Sequence, residues 1–332
     1  MQPDTIIQEV RKVRDSEIVN KVLFQNPNVK GRNEFLFFIK PELLLDDPKI
    51  QTEWLLKMIL AKIGEFGLDI GSVRLLSAGY LEKHSIIAQH YGVINRIASD
   101  AKAHVSEAGK KCFNSIFEDN FDSATVLGGL EFLKAYPCFT SLALDYLWQN
   151  GKFEKLAGGT YALKLSIDGD PVYLINGFHA RQLEHFTQPE RSIVVFSLCG
   201  DLDWQDARTR FIGATCPQDA VEGSIRRQLL ERAYDYGLKA VTPSWNGVHL
   251  SASPIEGLIE LIRYQSDYEN GKALTVADFR FGQQLIEAFG KEKTDWLLTN
   301  PSVEYEGEIV SIFDLSEEKN AGTCIDMLKK IL

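Results

Sequence analysis

The chain lacks the marks of a membrane protein, a disulfide scaffold and a nucleic-acid binder. No apolar run approaches the roughly eighteen residues of a spanning helix, and Met1-Gln2-Pro3-Asp4 shows no signal-peptide pattern. Its five cysteines, Cys112, Cys138, Cys199, Cys216 and Cys324, are scattered and include no Cys-x-x-Cys pair. That argues against disulfide pairing and a zinc site, and for reduced, mostly buried thiols. A formal net charge of −10 opposes non-specific binding to nucleic acid, and no aromatic–basic interleaving reverses it. The expectation is a cytoplasmic protein with neither nucleic-acid nor membrane partners. Its 332 residues, 45% of them hydrophobic, suffice for a substantial core in more than one domain.

What is present is a histidine in an unusual setting. His249 lies between Asn246 and Ser251, just ahead of a helix whose start is legible. Ser253 is a good N-cap, Pro254 suits the first helical position, and Glu256 completes a capping box. Ile255, Leu258, Ile259 and Ile262 then form one apolar stripe. Free N–H groups and the helix dipole favour an anion beside His249. A neutral imidazole can attack a phosphoryl group, and a carboxylate on the following helix, Glu260, can fix its tautomer. The plainer alternative is a loop histidine and a solvated helix carboxylate.

Upstream runs Gly213-Ala214-Thr215-Cys216-Pro217, with Arg226 eleven residues after Thr215, as Glu260 is eleven after His249. Together with Asn246, His249, Ser251 and Glu260, this pattern resembles the nucleoside diphosphate kinase family. That family has a Gly-x-Thr-x-Pro loop followed by an Arg, then Asn-x-x-His-Gly-Ser-Asp and a Glu. The resemblance extends to the strand Glu34 to Ile39, which ends in Lys40-Pro41, and to Gln89-His90-Tyr91 on a helix expected over 82–96. A helix over 51–66, a strand around 73–76 and a strand at 191–198 complete the expected core.

The resemblance implies an α/β (α+β) fold with a ferredoxin-like antiparallel sheet carrying helices on its faces. It also implies a ping-pong kinase in which His249 accepts a phosphoryl group from ATP or another nucleoside triphosphate and passes it to a diphosphate. Lys40, Arg208, Arg226, Thr215 and Asn246 would hold phosphates, Tyr91 would orient the group in flight, and Phe178 would clamp the base. Ser251 and Glu260 would hold the imidazole. Mg²⁺ would arrive on the nucleotide phosphates rather than in a protein cage, and the protein would be a homo-oligomer, a dimer rather than a hexamer. Each residue keeps an ordinary alternative: Lys40 a strand-end charge, Tyr91 a half-buried aromatic, Phe178 a core side chain. Arg210 competes with Arg208, because the family's arginine falls at Thr209 between them.

Two features depart from the pattern. Leu250 and Ala252 stand where the family has Gly and Asp, restricting the backbone beside His249 and removing an acid near the phosphates. The stretch between Arg226 and Asn246 is also longer, and is expected as one helix from Arg227 to about Tyr236 projecting from the core. The chain divides into core residues 1–97, an insert at 98–175 of helices followed by a hairpin around Asp168-Gly169-Asp170, core residues 176–265, and an extension at 266–332. The extension should hold helices near 276–298, a strand pair near 303–313 and a last helix. A competing reading is a nucleotide-binding regulatory protein on the same scaffold; a third is other nucleotide chemistry.

Overall fold

The run Phe35-Leu36-Phe37-Phe38-Ile39 is apolar at every position, which suits only a strand covered on both faces. In the computed structural model, which describes residues 2–13 and 17–332, all five side chains are fully buried. The strands in chain order are β1 (Asn20–Gln25), β2 (Asn33–Ile39), β3 (Asp69–Ser77), β4 (Val126–Gly128), β5 (Phe153–Ala157), β6 (Thr160–Ile167), β7 (Asp170–Ile175), β8 (Ser192–Gly200), β9 (Val248–Leu250), β10 (Ser302–Tyr305) and β11 (Glu308–Ser311). They fall into two units, the first Met1–His84 with Pro189–Leu332, the second Ser85–Gln188.

The first unit is built on a five-stranded sheet of order β1-β3-β8-β2-β9 in which every neighbouring pair is antiparallel. The helix Thr52–Glu65 connects β2 to β3, and Ile225–Glu231 lies between β8 and β9. Each crossover thus joins two parallel strands with a strand of the other crossover between them. That is the ferredoxin-like arrangement, with β1 added at one edge. Strand alternation sorts the side chains into two layers. Phe35, Phe37, Ile39, Val73, Phe196 and Leu250 face a cluster that includes Leu55, Ile59 and Ile63 of the Thr52–Glu65 helix. The other face meets the helix Pro254–Gln265, where Phe38 lies 5.5 Å from Tyr264, centroid to centroid.

Residues 266–332 belong to this unit. Phe281, Leu285, Leu297, Ile312 and Leu328 cluster with Ile255 and Leu258 of the Pro254–Gln265 helix, so its outer side is also covered. The helix Arg280–Leu297, the β10–β11 hairpin and the helices Ile312–Ser316 and Ala321–Leu328 follow the expected order.

The second unit, taken alone, holds a four-stranded sheet of order β4-β7-β6-β5 with β4 and β7 parallel. Asp168 (φ 54°) and Gly169 (φ 94°) form the two-residue turn of the β6–β7 hairpin, the conformation that twisted hairpins favour. Tyr173 and Ile175 face one cluster, Val172 and Leu174 another.

Several expectations need correction. The second unit is wider than the 98–175 insert, taking in both flanks. The helix expected over 82–96 is three short ones, Ala78–Lys83, Ile86–His90 and Gly92–Ser99. Ser85 adopts φ 52°, a left-handed geometry that no α-helix continues through. The segment after Arg226 does not project. Its helix ends at Glu231, Tyr236 is buried, and Gln51 N–H donates to the Tyr236 carbonyl at 3.0 Å. Gly237 (φ 71°) makes that return possible, since a Cβ there would fall 1.8 Å from the Lys49 oxygen. Cys199 and Cys324 are buried, but Cys138 is exposed.

Phe37 lies 5.7 Å from both Phe196 and Phe211, centroid to centroid. Phe37→Ala should therefore cost about 3–5 kcal/mol in urea unfolding; a loss under about 1 kcal/mol would show a core that closes over the cavity.

Candidate active site

β9 is only three residues long, and its register against β2 decides where His249 points. Phe38 lies opposite His249, and Phe37 opposite Leu250. Val248 and Leu250 enter the core while His249 turns to the other face, stacked on Phe38 at 4.6 Å and 21°. The Pro254–Gln265 helix covers that face. Ser253 caps it by accepting from Glu256 N–H at 3.1 Å, and Pro254 occupies the first turn, as the sequence leads one to expect. Glu260, buried in mid-helix, brings both carboxylate oxygens to His249 Nε2, at 3.1 and 3.0 Å.

A carboxylate only accepts, so the proton of a neutral His249 belongs on Nε2 and the lone pair on Nδ1. The surroundings favour that neutral form. Burial, then the positive charges of Arg208, Lys40 and Arg226, hold His249 well below the ordinary histidine pKa. One turn before Glu260, burial and the charge of Glu260 push Glu256 up to about 7.

Each cation has a specific hold. Lys40 Nζ donates to Asn246 Oδ1 at 2.7 Å and to the Ser244 carbonyl at 3.4 Å. Burial lowers its pKa to about 8, with Glu42 opposing and Arg226 reinforcing. Arg226 donates to the carbonyls of Gly213 (2.8 Å) and Val248 (3.0 Å). Gly213 makes the first of these possible: at φ 89° its Cβ position would fall 2.5 Å from Ser224 Oγ, so only glycine fits. Arg208 lies in a π-helical turn, Ala207–Ile212, and donates to the Leu250 carbonyl at 3.0 Å. Arg210 is exposed and pairs with Asp206 instead. Of the two, Arg208 is the one bonded to the β9 backbone.

Other expected residues are placed differently. Ser251 does not touch the imidazole; its hydroxyl is buried and bonds both the N–H (3.0 Å) and the carbonyl (3.2 Å) of Leu36, splicing β9 to β2. Thr215 is exposed, and its carbonyl accepts from Asn246 Nδ2 at 3.1 Å. Leu250 is a core residue, which explains why the chain has no glycine there. Tyr91 and Phe178 belong to the second unit. There Phe178, half-buried, packs on Trp148 (5.6 Å) and Tyr161 (6.5 Å). Tyr91 lies 6.0 Å from His179, ring to ring. His179 and His185 are buried.

Two contributors escaped the sequence reading. Phe38 is the platform under His249, visible only once the β2–β9 register is known. Glu42 accepts from Gly247 N–H at 2.9 Å and faces Lys40; its place directly after the Lys40-Pro41 pair was the available signal.

Two solved kinases are similar to this chain. One is nucleoside diphosphate kinase from Encephalitozoon cuniculi, in its cubic apo form: 14% identity and TM-score 0.35 over 75% of this chain and 96% of that one. The other is an NDP kinase from Pyrobaculum aerophilum: 20% identity and TM-score 0.33 over 73% and 99%. No family model matches, and no curated protein does. No helix among the described residues is long and apolar enough to cross a membrane.

Two outcomes follow from this geometry. Because the folded pKa of His249 is depressed, the unfolded chain takes up its proton first as pH falls. Relative to His249→Gln, the wild type should keep its full stability above about pH 6.5 and lose it progressively below. Denaturation midpoints compared across that range test this; parallel curves would mean an unperturbed imidazole. Arg226→Ala should destabilise by about 1–3 kcal/mol for each carbonyl it orphans, so thermal unfolding must be measured alongside any activity.

Proposed function

We propose that the protein is a nucleotide phosphotransferase that works through a phosphohistidine at His249. The observation that carries this reading is the pairing of His249 Nε2 with both oxygens of Glu260, in a buried setting among three cations that together favour the neutral ring. Nδ1 attacks the terminal phosphorus of a nucleoside triphosphate. The N–P bond forms as the P–O bond to the leaving diphosphate breaks, and the electron pair departs on the diphosphate oxygen. Positive charge growing on the ring is met by Glu260 through Nε2–H. The second half-reaction reverses these steps onto an acceptor diphosphate.

Lys40, Arg208 and Arg226 are the cations assigned to the phosphate oxygens, and Asn246 positions Lys40. Ser251 and Thr215 act through the backbone they hold. Tyr91 and Phe178 are given no contact. A magnesium ion fits as a passenger on the nucleotide: the residues around His249 supply cations, and Ala252 stands where an acid would be needed. Bound there, it would neutralise phosphate charge. The soluble cytoplasmic setting and a homodimeric state belong to the same proposal.

One observation favours a second reading. Arg226 already serves two backbone carbonyls, and Leu250 fills the core beside His249, as suits a site that binds nucleotide for regulation without turnover. Incubation with γ-labelled ATP separates the two. Acid-labile, base-stable label on wild type, absent from His249→Ala and chased by unlabelled diphosphate, is the expected result. ATP binding with no label would replace the kinase by the regulatory reading.

A further inference from the structure

The helix Ile312–Ser316 of the C-terminal extension ends against the loop that follows β9. Buried Ser316 Oγ meets Ser253 Oγ at 3.0 Å, and Glu318 N–H donates to the Ala252 carbonyl at 3.0 Å. Just beyond, Asn320 Oδ1 accepts from Trp204 N–H at 3.1 Å, and Ala321 N–H donates to Asn33 Oδ1 at 3.0 Å. The backbone of Glu317 is therefore held between fixed neighbours. Its side chain is 51% exposed and places Oε1 4.0 Å from Nη2 of Arg208, whose own side chain is only 20% exposed. An exposed ion pair is usually weakened by the entropy of ordering both partners. Here the chain on both sides of Glu317 is already ordered.

Four carboxylates surround this corner of the site, and they are differently engaged. Glu260 is bonded to His249, and Asp314 accepts from Ser311 Oγ at 2.6 Å. Burial and Glu260 push Glu256 up to about 7, so it carries only part of a charge at neutral pH. Glu317 is the carboxylate in ion-pair range of Arg208 among the described residues. Arg208 is thus held by a neutral oxygen on one side, the Leu250 carbonyl at 3.0 Å, and by a carboxylate on the other. At 4.0 Å that second contact is an attraction without a hydrogen bond. A phosphate oxygen bonding the same nitrogen would hold it more strongly.

We propose that Glu317 is an internal competitor for Arg208: its carboxylate pairs with the guanidinium when no nucleotide is bound and yields it to a phosphate group. The step is an exchange of one anion for another, with no bond made or broken, and the exposure of Glu317 leaves its side chain room to turn into solvent. This rests on the assignment of Arg208 to the phosphate oxygens. The extension thereby lowers the phosphate affinity of a site built from β9 and the Pro254–Gln265 helix.

The test is calorimetric titration of the full chain with ATP and with adenosine, in EDTA so that no metal bridges phosphate to carboxylate. Glu317→Gln should bind ATP about threefold to tenfold more tightly than wild type, the scale of one partly screened charge, and the gain should shrink in about 0.5 M salt. Adenosine affinity should not change. Glu318→Gln removes the same charge one residue on and should gain less than about twofold. In an Arg208→Gln background, whose amide can still donate to the Leu250 carbonyl, Glu317→Gln should also gain less than about twofold, since the partner it competes for is gone. The proposal is overturned if Glu317→Gln binds ATP no better than wild type, if Glu318→Gln gains as much, or if the gain survives Arg208→Gln. ATP bound with unchanged affinity overturns this inference alone; no ATP bound by wild type or Glu317→Gln overturns it together with the phosphotransferase reading.

Discussion

Everything at the candidate site hangs on the pairing of β9 with β2. Three residues of strand are little to hold a reactive side chain in place, and two features reinforce them. Ser251 extends the pairing by bonding the Leu36 backbone through its hydroxyl as well as its N–H, and Val248 and Leu250 are anchored in the core. A slip of one residue would exchange His249 with a core leucine or valine. The register thus fixes which face carries chemistry.

The electrostatic arrangement depends on that placement. Burial holds the His249 imidazole away from the water that would stabilise its charge, and Arg208, Lys40 and Arg226 add to its resistance to protonation. Glu260 is bonded to the ring, so the same group that sets the tautomer also tempers the positive field. Its helix is held from both sides, by the sheet beneath and by the C-terminal helices above. Residues 266–332 therefore matter to the site, which Glu317 also reaches through an ion pair with Arg208 at 4.0 Å.

The sequence carried much of this. The all-apolar β2, the Ser253–Pro254 helix start, the Asp168–Gly169 turn and the His249–Glu260 spacing each follow from a local rule, and each is realised. Long-range placement was not legible. Ser251 resembles a residue that steadies the histidine, but only the strand partner reveals that its hydroxyl is spent on Leu36. Arg208 was preferred to Arg210 on loop spacing alone, and only the π-helical turn shows that Arg208 bonds the Leu250 carbonyl while Arg210 pairs with Asp206. Tyr236 looked like the end of a projecting helix because nothing local announces that Gly237 lets the backbone approach Lys49. Phe178 had no local feature to separate a base clamp from a packed aromatic.

Within the first unit, the chain leaves and returns at neighbouring points: Ser77 pairs with Ser192, and Ala78 N–H donates to the Arg191 carbonyl at 2.8 Å. The central strand pair, β3 with β8, is therefore assembled from segments with the whole second unit between them. Closing so long a loop costs entropy that grows only logarithmically with its length, yet such pairings are slow to find. On a ribosome, β2 and β3 emerge long before β8 and β9 exist to cover them, so their apolar edges must wait. The site, which needs the last strand of the sheet and a helix beyond it, is completed near the end of that order.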